Sequence, residues 1–102
     1  MARCAVQAVW TMSNVGSEAQ AGDAAFLETI VPSIEALPGF VQGVWAFSAD
    51  RTRTHHTVVF EDREGAEALI AQFESNKPYS SAVGVHLKSA EIMDVVGMSG
   101  SD

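Results

Sequence analysis

The chain has 102 residues, of which 47% are hydrophobic and 19% are charged. This length and balance predict one globular domain with a modest core, and they exclude a disordered chain. Six basic residues stand against 13 acidic ones, so the formal net charge is -7. Because affinity for nucleic acid comes largely from clustered Lys and Arg, the charge argues against a nucleic-acid partner.

Three absences indicate a cytoplasmic protein without a membrane anchor. Cys4 is the single cysteine, so the chain cannot form an internal disulfide and needs no oxidising compartment. No apolar run approaches the ~18 residues of a membrane span. The first residues, "MARCAVQAVWTM", lack the long apolar region and small-residue cleavage site of a signal peptide.

The first half of the chain predicts a strand, a kinked helix and a second strand. Residues 2–12 alternate in the manner of a strand with one buried face. Asp23 is a candidate helix N-cap, and an apolar stripe follows it at helical spacing. That stripe consists of Phe26, Ile30, Ile34 and Leu37. Pro32 lies inside the stripe and predicts a kink or a break into two short helices, and Pro38-Gly39 ends the helix.

The second half predicts a hairpin, a helix and a last strand. Strand-like runs over 40–47 and 54–60 flank the polar turn "SADRTR". Glu61 or Asp62 caps a second helix, which "SNKPYSS" ends, and the last strand runs from about 85 to 96. The order predicts an α+β fold of the ferredoxin-like βαββαβ type, with both helices on one face of a four-stranded antiparallel sheet. Residues 1–97 form this single domain, and 98–102 form a flexible tail.

The run Phe40 to Phe47 is apolar on both faces, although a small sheet usually has one wet face. Depending on the register, the face away from the helices carries Trp45 and Phe47, or Phe40 and Val44. In the last strand, Leu87, Met93 and Val95 lie opposite Ala90, Ile92 and Val96. An apolar face of this size is rarely left wet in a monomer, so we expect a two-fold symmetric homodimer that packs sheet against sheet.

Three stretches carry a family resemblance: a kinked first helix that ends in "LPGF", a strand "HHTVVFED", and the helix start "REGAEALI". Together with the element order they resemble the dimeric α/β-barrel superfamily, and in particular its antibiotic-biosynthesis-monooxygenase-like small domains. The resemblance implies a homodimer whose two sheets close into a barrel. It also implies an activity without a cofactor, because some members oxidise polycyclic aromatic quinone precursors in that way.

Other members of the superfamily degrade haem, with an Asn on the first strand, a Trp that ends the third strand and a His on the second helix. The corresponding positions here hold Gln7, Phe60 and, approximately, Ile70. The resemblance therefore does not imply haem degradation. The monooxygenase-like members also tend to carry a Trp near the position of Phe60.

His56 and His86 are the candidate catalytic residues, since imidazole accepts protons near neutral pH. We expect His56 to face the helices, and Trp10, Phe60 and Tyr79 to line a site for an aromatic ligand. The plainer interpretation makes His56 a partly exposed residue near a hairpin end and His86 a surface histidine. His55 and His56 point to opposite faces of a strand, so they cannot share a metal, and no metal site is predicted.

Two functions stay open from the sequence. One is cofactor-independent oxidation of an aromatic or polycyclic small molecule. The alternative is a non-catalytic dimeric barrel that binds a small apolar ligand or acts as an assembly module.

Overall fold

A computed structural model describes residues 3–12, 26–50, 52–82 and 84–99. These residues include the strands of one four-stranded sheet. The strands are β1 (Cys4–Met12), β2 (Phe40–Phe47), β3 (Arg53–Phe60) and β4 (Val85–Asp94). They lie in the order β2-β3-β1-β4, and every neighbouring pair is antiparallel. This confirms the predicted ferredoxin-like sheet.

Pro32 divides the first helical region into two unlike parts. A π-helical turn (Phe26–Ile30) runs directly into a short helix α1 (Val31–Glu35). Pro32 lies in the first turn of α1, where its missing N–H has no cost, whereas in a continuous α-helix its ring would clash with the Glu28 carbonyl. The kink or break predicted at Pro32 is found as a change from π-helical to α-helical winding between Ile30 and Val31, while the predicted cap Asp23 lies outside the described residues.

The chain leaves α1 through a glycine with a left-handed backbone. Gly39 has a φ of 72°, which side chains with a Cβ rarely adopt. Its carbonyl accepts a hydrogen bond from the backbone N–H of Glu61 at 2.7 Å. This bond ties the start of β2 to the end of β3.

The second helix, α2 (Arg63–Ala82), is longer than the sequence predicts. Asp62 caps it, since its Oδ1 accepts the backbone N–H of Glu64 at 3.1 Å. The predicted stop at "SNKPYSS" is wrong, because the helix continues past Pro78. Pro78 and Glu74 both lie on the exposed side of α2, so water can bond to the Glu74 carbonyl that proline leaves unpaired.

A β-bulge in β2 decides which aromatic residues face the helices. Phe40 pairs with Phe60, but the register shifts between Phe40 and Gln42, after which Trp45 pairs with His56. Strict alternation would place Phe40 and Trp45 on opposite faces. The bulge places both, with Phe47, on the side that carries the helices.

A second irregularity, in the pairing of β1 with β4, changes the predicted faces of the last strand. Ser89 pairs with Val9 but Leu87 pairs with Trp10, so Lys88 is skipped. The expectation that Leu87 shares a face with Met93 is therefore wrong. Leu87 packs against the core with Ala90 and Ile92, while Met93 lies on the other side.

Both helices cover the same face of the sheet and enclose the core with it. Ile34 of α1 and Leu69 of α2 are fully buried there against Val6, Val58 and Phe60 of the central strands. The opposite face, here called the outer face, is more polar than the sequence predicts. It carries Ala5, Gln7, Val9, Thr11, Gln42, Val44, Ala46, Arg53, His55, Thr57, Val59, His86, Ser89, Glu91 and Met93.

The chain that follows β4 stays close to the start of β1. The Val95 N–H donates to the Arg3 carbonyl at 3.0 Å, and Arg3 Nη1 lies 3.3 Å from the Met98 sulfur. The division into a domain of residues 1–97 and a tail of 98–102 stays a prediction. No helix in the described part of the chain is long and apolar enough to cross a membrane.

Candidate functional site

The strand register gathers polar and aromatic side chains at one end of the helix-facing side. The next-to-last row across the sheet there holds Trp45, His56, Ala8 and Ala90, and the last row holds Phe47, Thr54, Trp10 and Leu87. Phe73 of α2 packs over these rows. We call Trp10, Trp45, Thr54, His56 and Phe73 the His56 cluster.

Three rings of the cluster are in mutual contact. The Trp10 and Phe73 rings meet edge to face, with centroids 5.2 Å apart at 89°. The His56 ring lies 6.3 Å from Trp10 and 6.4 Å from Phe73, tilted to both. These edge-to-face and tilted arrangements hold the imidazole in an aromatic setting with little water.

His56 is 4% exposed, and burial lowers its pKa from 6.5 to about 4, with a smaller contribution from the neighbouring charge of His55. The imidazole is therefore neutral at pH 7 and keeps a ring nitrogen with a lone pair. Such a group can accept a hydrogen bond or a proton. The plainer interpretation, a partly exposed histidine, is wrong because the ring is buried on the side that carries the helices.

Thr54 orients the imidazole. Its side chain is 4% exposed, and its Oγ1 lies 3.3 Å from His56 Nε2. The hydroxyl can donate to a bare Nε2 or accept from Nε2–H, and either arrangement restricts rotation of the ring. The two residues are at positions i and i+2 of β3, the spacing that places side chains on one face of a strand.

Both indole groups of the cluster carry buried donors. The Nε1 atoms of Trp10 and Trp45 are buried, and neither has a hydrogen-bond partner within the described part of the chain. Trp10 is 7% exposed. The Trp45 ring lies against Gly43, where even one methyl group would collide with it.

Of the four predicted site residues whose side chains the structure describes, it brings together two, His56 and Trp10. Phe60 lies four residues further along β3, about 13 Å away at the strand rise, where it is fully buried against Phe40. His86 is exposed on the outer face, paired with Thr11, so the sheet separates it from His56. Tyr79 lies within α2, and its side chain is outside the described set.

Sequence reasoning did not single out Thr54. The signal for it was the i, i+2 spacing to His56 within a strand. Phe73 follows Leu69 at helical spacing, but its contact with Trp10 depends on how α2 crosses the sheet. No sequence pattern encodes that crossing.

The cluster does not form a metal centre. Among the described residues, no group of three or more His, Cys, Asp or Glu side chains lies close enough to hold an ion. Within the cluster, His56 is the single side chain of a type that commonly binds metals. What the arrangement can do chemically is hold a flat aromatic molecule and accept a proton or hydrogen bond from it.

Comparison with known proteins identifies the fold. No protein-family model matches the chain, and no curated protein matches it in sequence. Among solved structures, a dimeric ferredoxin-like protein from an uncultured marine organism is 16% identical, with 97% of this chain and 100% of that one covered and a TM-score of 0.68. A protein of unknown function from Nitrosomonas europaea is 18% identical, with 100% and 97% covered and a TM-score of 0.66.

Two further matches are oxygenases. The monooxygenase from the gene ActVA-Orf6 of Streptomyces coelicolor, solved with Nanaomycin D, is 14% identical, with 99% of this chain and 93% of that one covered and a TM-score of 0.61. SnoaB, a cofactor-independent oxygenase from Streptomyces nogalater, is 14% identical, with 98% and 97% covered and a TM-score of 0.60. The chain thus has the ferredoxin-like fold that these solved structures share, as its element order predicts.

Proposed function

We propose that this chain is a cofactor-independent oxygenase that oxidises an aromatic or polycyclic small molecule at the His56 cluster. The observation that carries the proposal is a buried, neutral imidazole that lies beside the rings of Trp10 and Phe73. The likeness in fold to a monooxygenase and to a cofactor-independent oxygenase supports it. His56 accepts the substrate proton, and the rings hold the substrate.

The low pKa of His56 determines the free-energy cost of this proton transfer. Proton transfer from a phenol with a pKa of about 10 to an imidazole with a pKa of about 4 is uphill by roughly 6 pKa units, or about 8 kcal/mol. A turnover of about one per second corresponds to a total barrier of about 17 kcal/mol. The transfer therefore fits within the barrier of a slow enzyme, and the phenolate formed beside the ring raises the pKa of His56 by charge attraction.

The oxidation balances with molecular oxygen as the only co-substrate. After His56 takes a proton from the activated substrate, the resulting carbanion gives its electrons to O₂ and forms a carbon–oxygen bond. The peroxide takes the proton back from His56, and loss of water leaves a new carbonyl. One oxygen atom enters the product, and the other leaves as water with two hydrogens of the substrate, the one that His56 removed and the one on the oxidised ring carbon.

Oxygen uptake with anthrone, a tricyclic quinone precursor, tests the proposal. The wild-type protein should consume one O₂ per quinone formed, at a rate above the spontaneous reaction. His56→Gln should lower the enzymatic rate at least a hundredfold, which is the typical contribution of a positioned base.

His55→Gln is the matched control, because His55 is the adjacent histidine but is exposed on the outer face. It should retain the wild-type rate. Equal rates for wild type and His56→Gln, with both proteins folded, would remove His56 from the mechanism. No rate above the spontaneous reaction with any polycyclic phenol would remove the oxygenase assignment.

The second candidate is a non-catalytic barrel that binds a small apolar ligand. The buried Trp10 Nε1–H has no acceptor among the described residues and favours this function, because a bound aromatic ligand with one acceptor atom would satisfy that donor without any catalysis. Saturable binding of a polycyclic aromatic without oxygen uptake would select this function over the first. A structural role as an assembly module would show neither binding nor uptake.

We also propose that the chain forms a homodimer through the outer face. Val44 and Met93 are 55% and 45% exposed on that face, and apolar surface of this kind is stabilised by a partner. The dimeric state of the marine ferredoxin-like protein supports the proposal. A cytoplasmic location, the absence of a nucleic-acid partner and the absence of a cofactor are part of the same proposal.

Light scattering with two charge substitutions tests the dimer. Val44→Asp should convert the dimer to a monomer, since it places an unpaired carboxylate within the apolar contact. Ser75→Asp adds the same charge on the exposed side of α2 and should leave the mass unchanged. Trp45 is unsuited to this test because it faces the helices. A wild-type monomer, or a Val44→Asp dimer, would contradict the proposed interface.

A further inference from the structure

The hydrogen bond between Thr54 and His56 makes the two nitrogens of the imidazole unequal. Thr54 Oγ1 lies 3.3 Å from His56 Nε2, and both side chains are 4% exposed. The two residues lie two positions apart on β3, so the strand itself holds the hydroxyl beside the ring. Each ring nitrogen makes one hydrogen bond in the plane of the ring, which means that Thr54 occupies Nε2. The other nitrogen, Nδ1, is buried as well.

This arrangement determines which nitrogen can work as a base. A neutral imidazole carries its proton on one nitrogen and a lone pair on the other. Because Thr54 occupies Nε2, a substrate can transfer a proton only to Nδ1, and Nδ1 accepts it only if the resting proton is on Nε2. The separation of 3.3 Å agrees with this, since it lies nearer to the range of N–H···O bonds, about 2.7–3.2 Å, than to the shorter range of hydroxyl donors.

We propose that Thr54 is a positioning residue that holds His56 in the Nε2–H tautomer, and so makes Nδ1 the nitrogen that accepts the substrate proton. This inference rests on the proposed function of the His56 cluster and names the atom at which it works. When the substrate proton moves to Nδ1, the electron pair of the broken bond stays on the substrate and passes to O₂. The imidazolium keeps its Nε2–H bond to Thr54, and that bond is stronger from a charged donor than from a neutral one.

The tautomer of His56 can be observed directly in the protein without any ligand. Nitrogen-15 chemical shifts distinguish a protonated ring nitrogen from a bare one, and the chain has three histidines. His56→Gln identifies the signals of His56 by their loss. At pH 7 the wild-type protein should show a protonated Nε2 and a bare Nδ1 for His56. A bare Nε2 would overturn the proposal.

Substitutions of Thr54 show whether its hydroxyl sets this tautomer. Thr54→Val removes the hydroxyl and should raise the ratio of the Nδ1–H to the Nε2–H tautomer about tenfold, the contribution of one hydrogen bond. Thr54→Ser keeps the hydroxyl and should retain the wild-type ratio. Thr57→Val is the matched control, because the Thr57 hydroxyl bonds to Gln7 at 3.0 Å on the outer face, and it should leave the ratio unchanged. An unchanged ratio in Thr54→Val would contradict the role of Thr54.

Oxygen uptake with anthrone extends the test to turnover. Thr54→Val should lower kcat about tenfold and change KM less than twofold, because the imidazolium loses a hydrogen bond while the rings that hold the substrate stay in place. Thr54→Ser should restore kcat. A higher KM with an unchanged kcat would mean that Thr54 only shapes the site, and this result would also overturn the proposal.

Failure of this inference can be told apart from failure of the proposed function. If Thr54→Val does not fold, the tautomer of the wild-type protein still decides between the two nitrogens. A protonated Nε2 without oxygen uptake would contradict the oxygenase but retain the tautomer assignment. Oxygen uptake that requires His56, in a protein whose Nε2 is bare, would retain the oxygenase and contradict the inference.

Discussion

The helix-facing side of the sheet has two ends that differ in chemistry. At one end Val6, Val58 and Phe60 are fully buried and entirely apolar. At the other end Thr54 and His56 are just as deeply buried, although both carry polar groups. Burial of apolar surface stabilises the fold, whereas burial of an imidazole opposes its protonation and costs stability when the pH falls. One end therefore holds the protein together, and the other carries groups that the fold alone does not explain.

The largest expected effect comes from the apolar end. Phe60→Ala should lower the free energy of unfolding by about 3–5 kcal/mol, because it removes a fully buried ring and leaves a cavity against Phe40. Urea denaturation measures the change. Glu67→Gln, at an exposed ion pair with Arg63, is the control and should change stability by less than about 1 kcal/mol. A loss below 1 kcal/mol for Phe60→Ala would contradict the assignment of this end as the core.

The polar end should make the free energy of unfolding depend on pH. The pKa of His56 is about 4 in the folded protein and 6.5 in the unfolded chain, so the unfolded state binds the extra proton first as the pH falls. Titration of His56 leaves the free energy of unfolding unchanged above pH 6.5 and should lower it by about 3 kcal/mol between pH 6.5 and pH 4. Below pH 4 both states hold the proton, and this loss stops growing.

Urea denaturation of wild type and His56→Gln across pH 4–7 isolates this contribution, since the variant lacks the imidazole. Asp50, whose pKa is lowered from 3.8 to about 2 by hydrogen bonds from Thr52 and Ser48, does not affect the comparison because both proteins carry it. His55→Gln should retain the wild-type slope. Parallel curves for wild type and His56→Gln would show that the imidazole is not buried.

The smallest expected effect concerns the place of Trp45 within the polar end. Gly43→Ala puts a methyl group against the indole ring of Trp45, with ring atoms Cζ2 and Cζ3 at 2.8 Å, so the ring must turn away. The cost should be about 1–3 kcal/mol. Trp45 fluorescence, recorded in a Trp10→Phe background, should shift towards longer wavelengths as the ring gains contact with water. Unchanged emission and stability would show that the ring does not rest on Gly43.

Much of the fold follows from local patterns in the chain. The alternation in residues 4–12, the apolar run 40–47 and the break at Pro32 act over a few residues, so the sequence alone predicts them correctly. The end of α2 does not follow from its sequence, because "SNKPYSS" contains ordinary stop signals. The helix continues because the backbone released by Pro78 lies on the exposed side, a fact that depends on which way α2 faces.

The features of the candidate site likewise fall into those that local sequence patterns determine and those that depend on the tertiary structure. The sequence by itself determined that His56 lies on a strand, that it shares a face with Val58, and that His55 points the other way, since side chains alternate along any strand. Only the tertiary structure decided that His86 lies across the sheet from His56 and that Trp45 faces the helices. The physical reason is that the bulge at residues 40–42 and the shift beside Trp10 each move a strand by one residue, and a one-residue shift exchanges the two faces of a sheet.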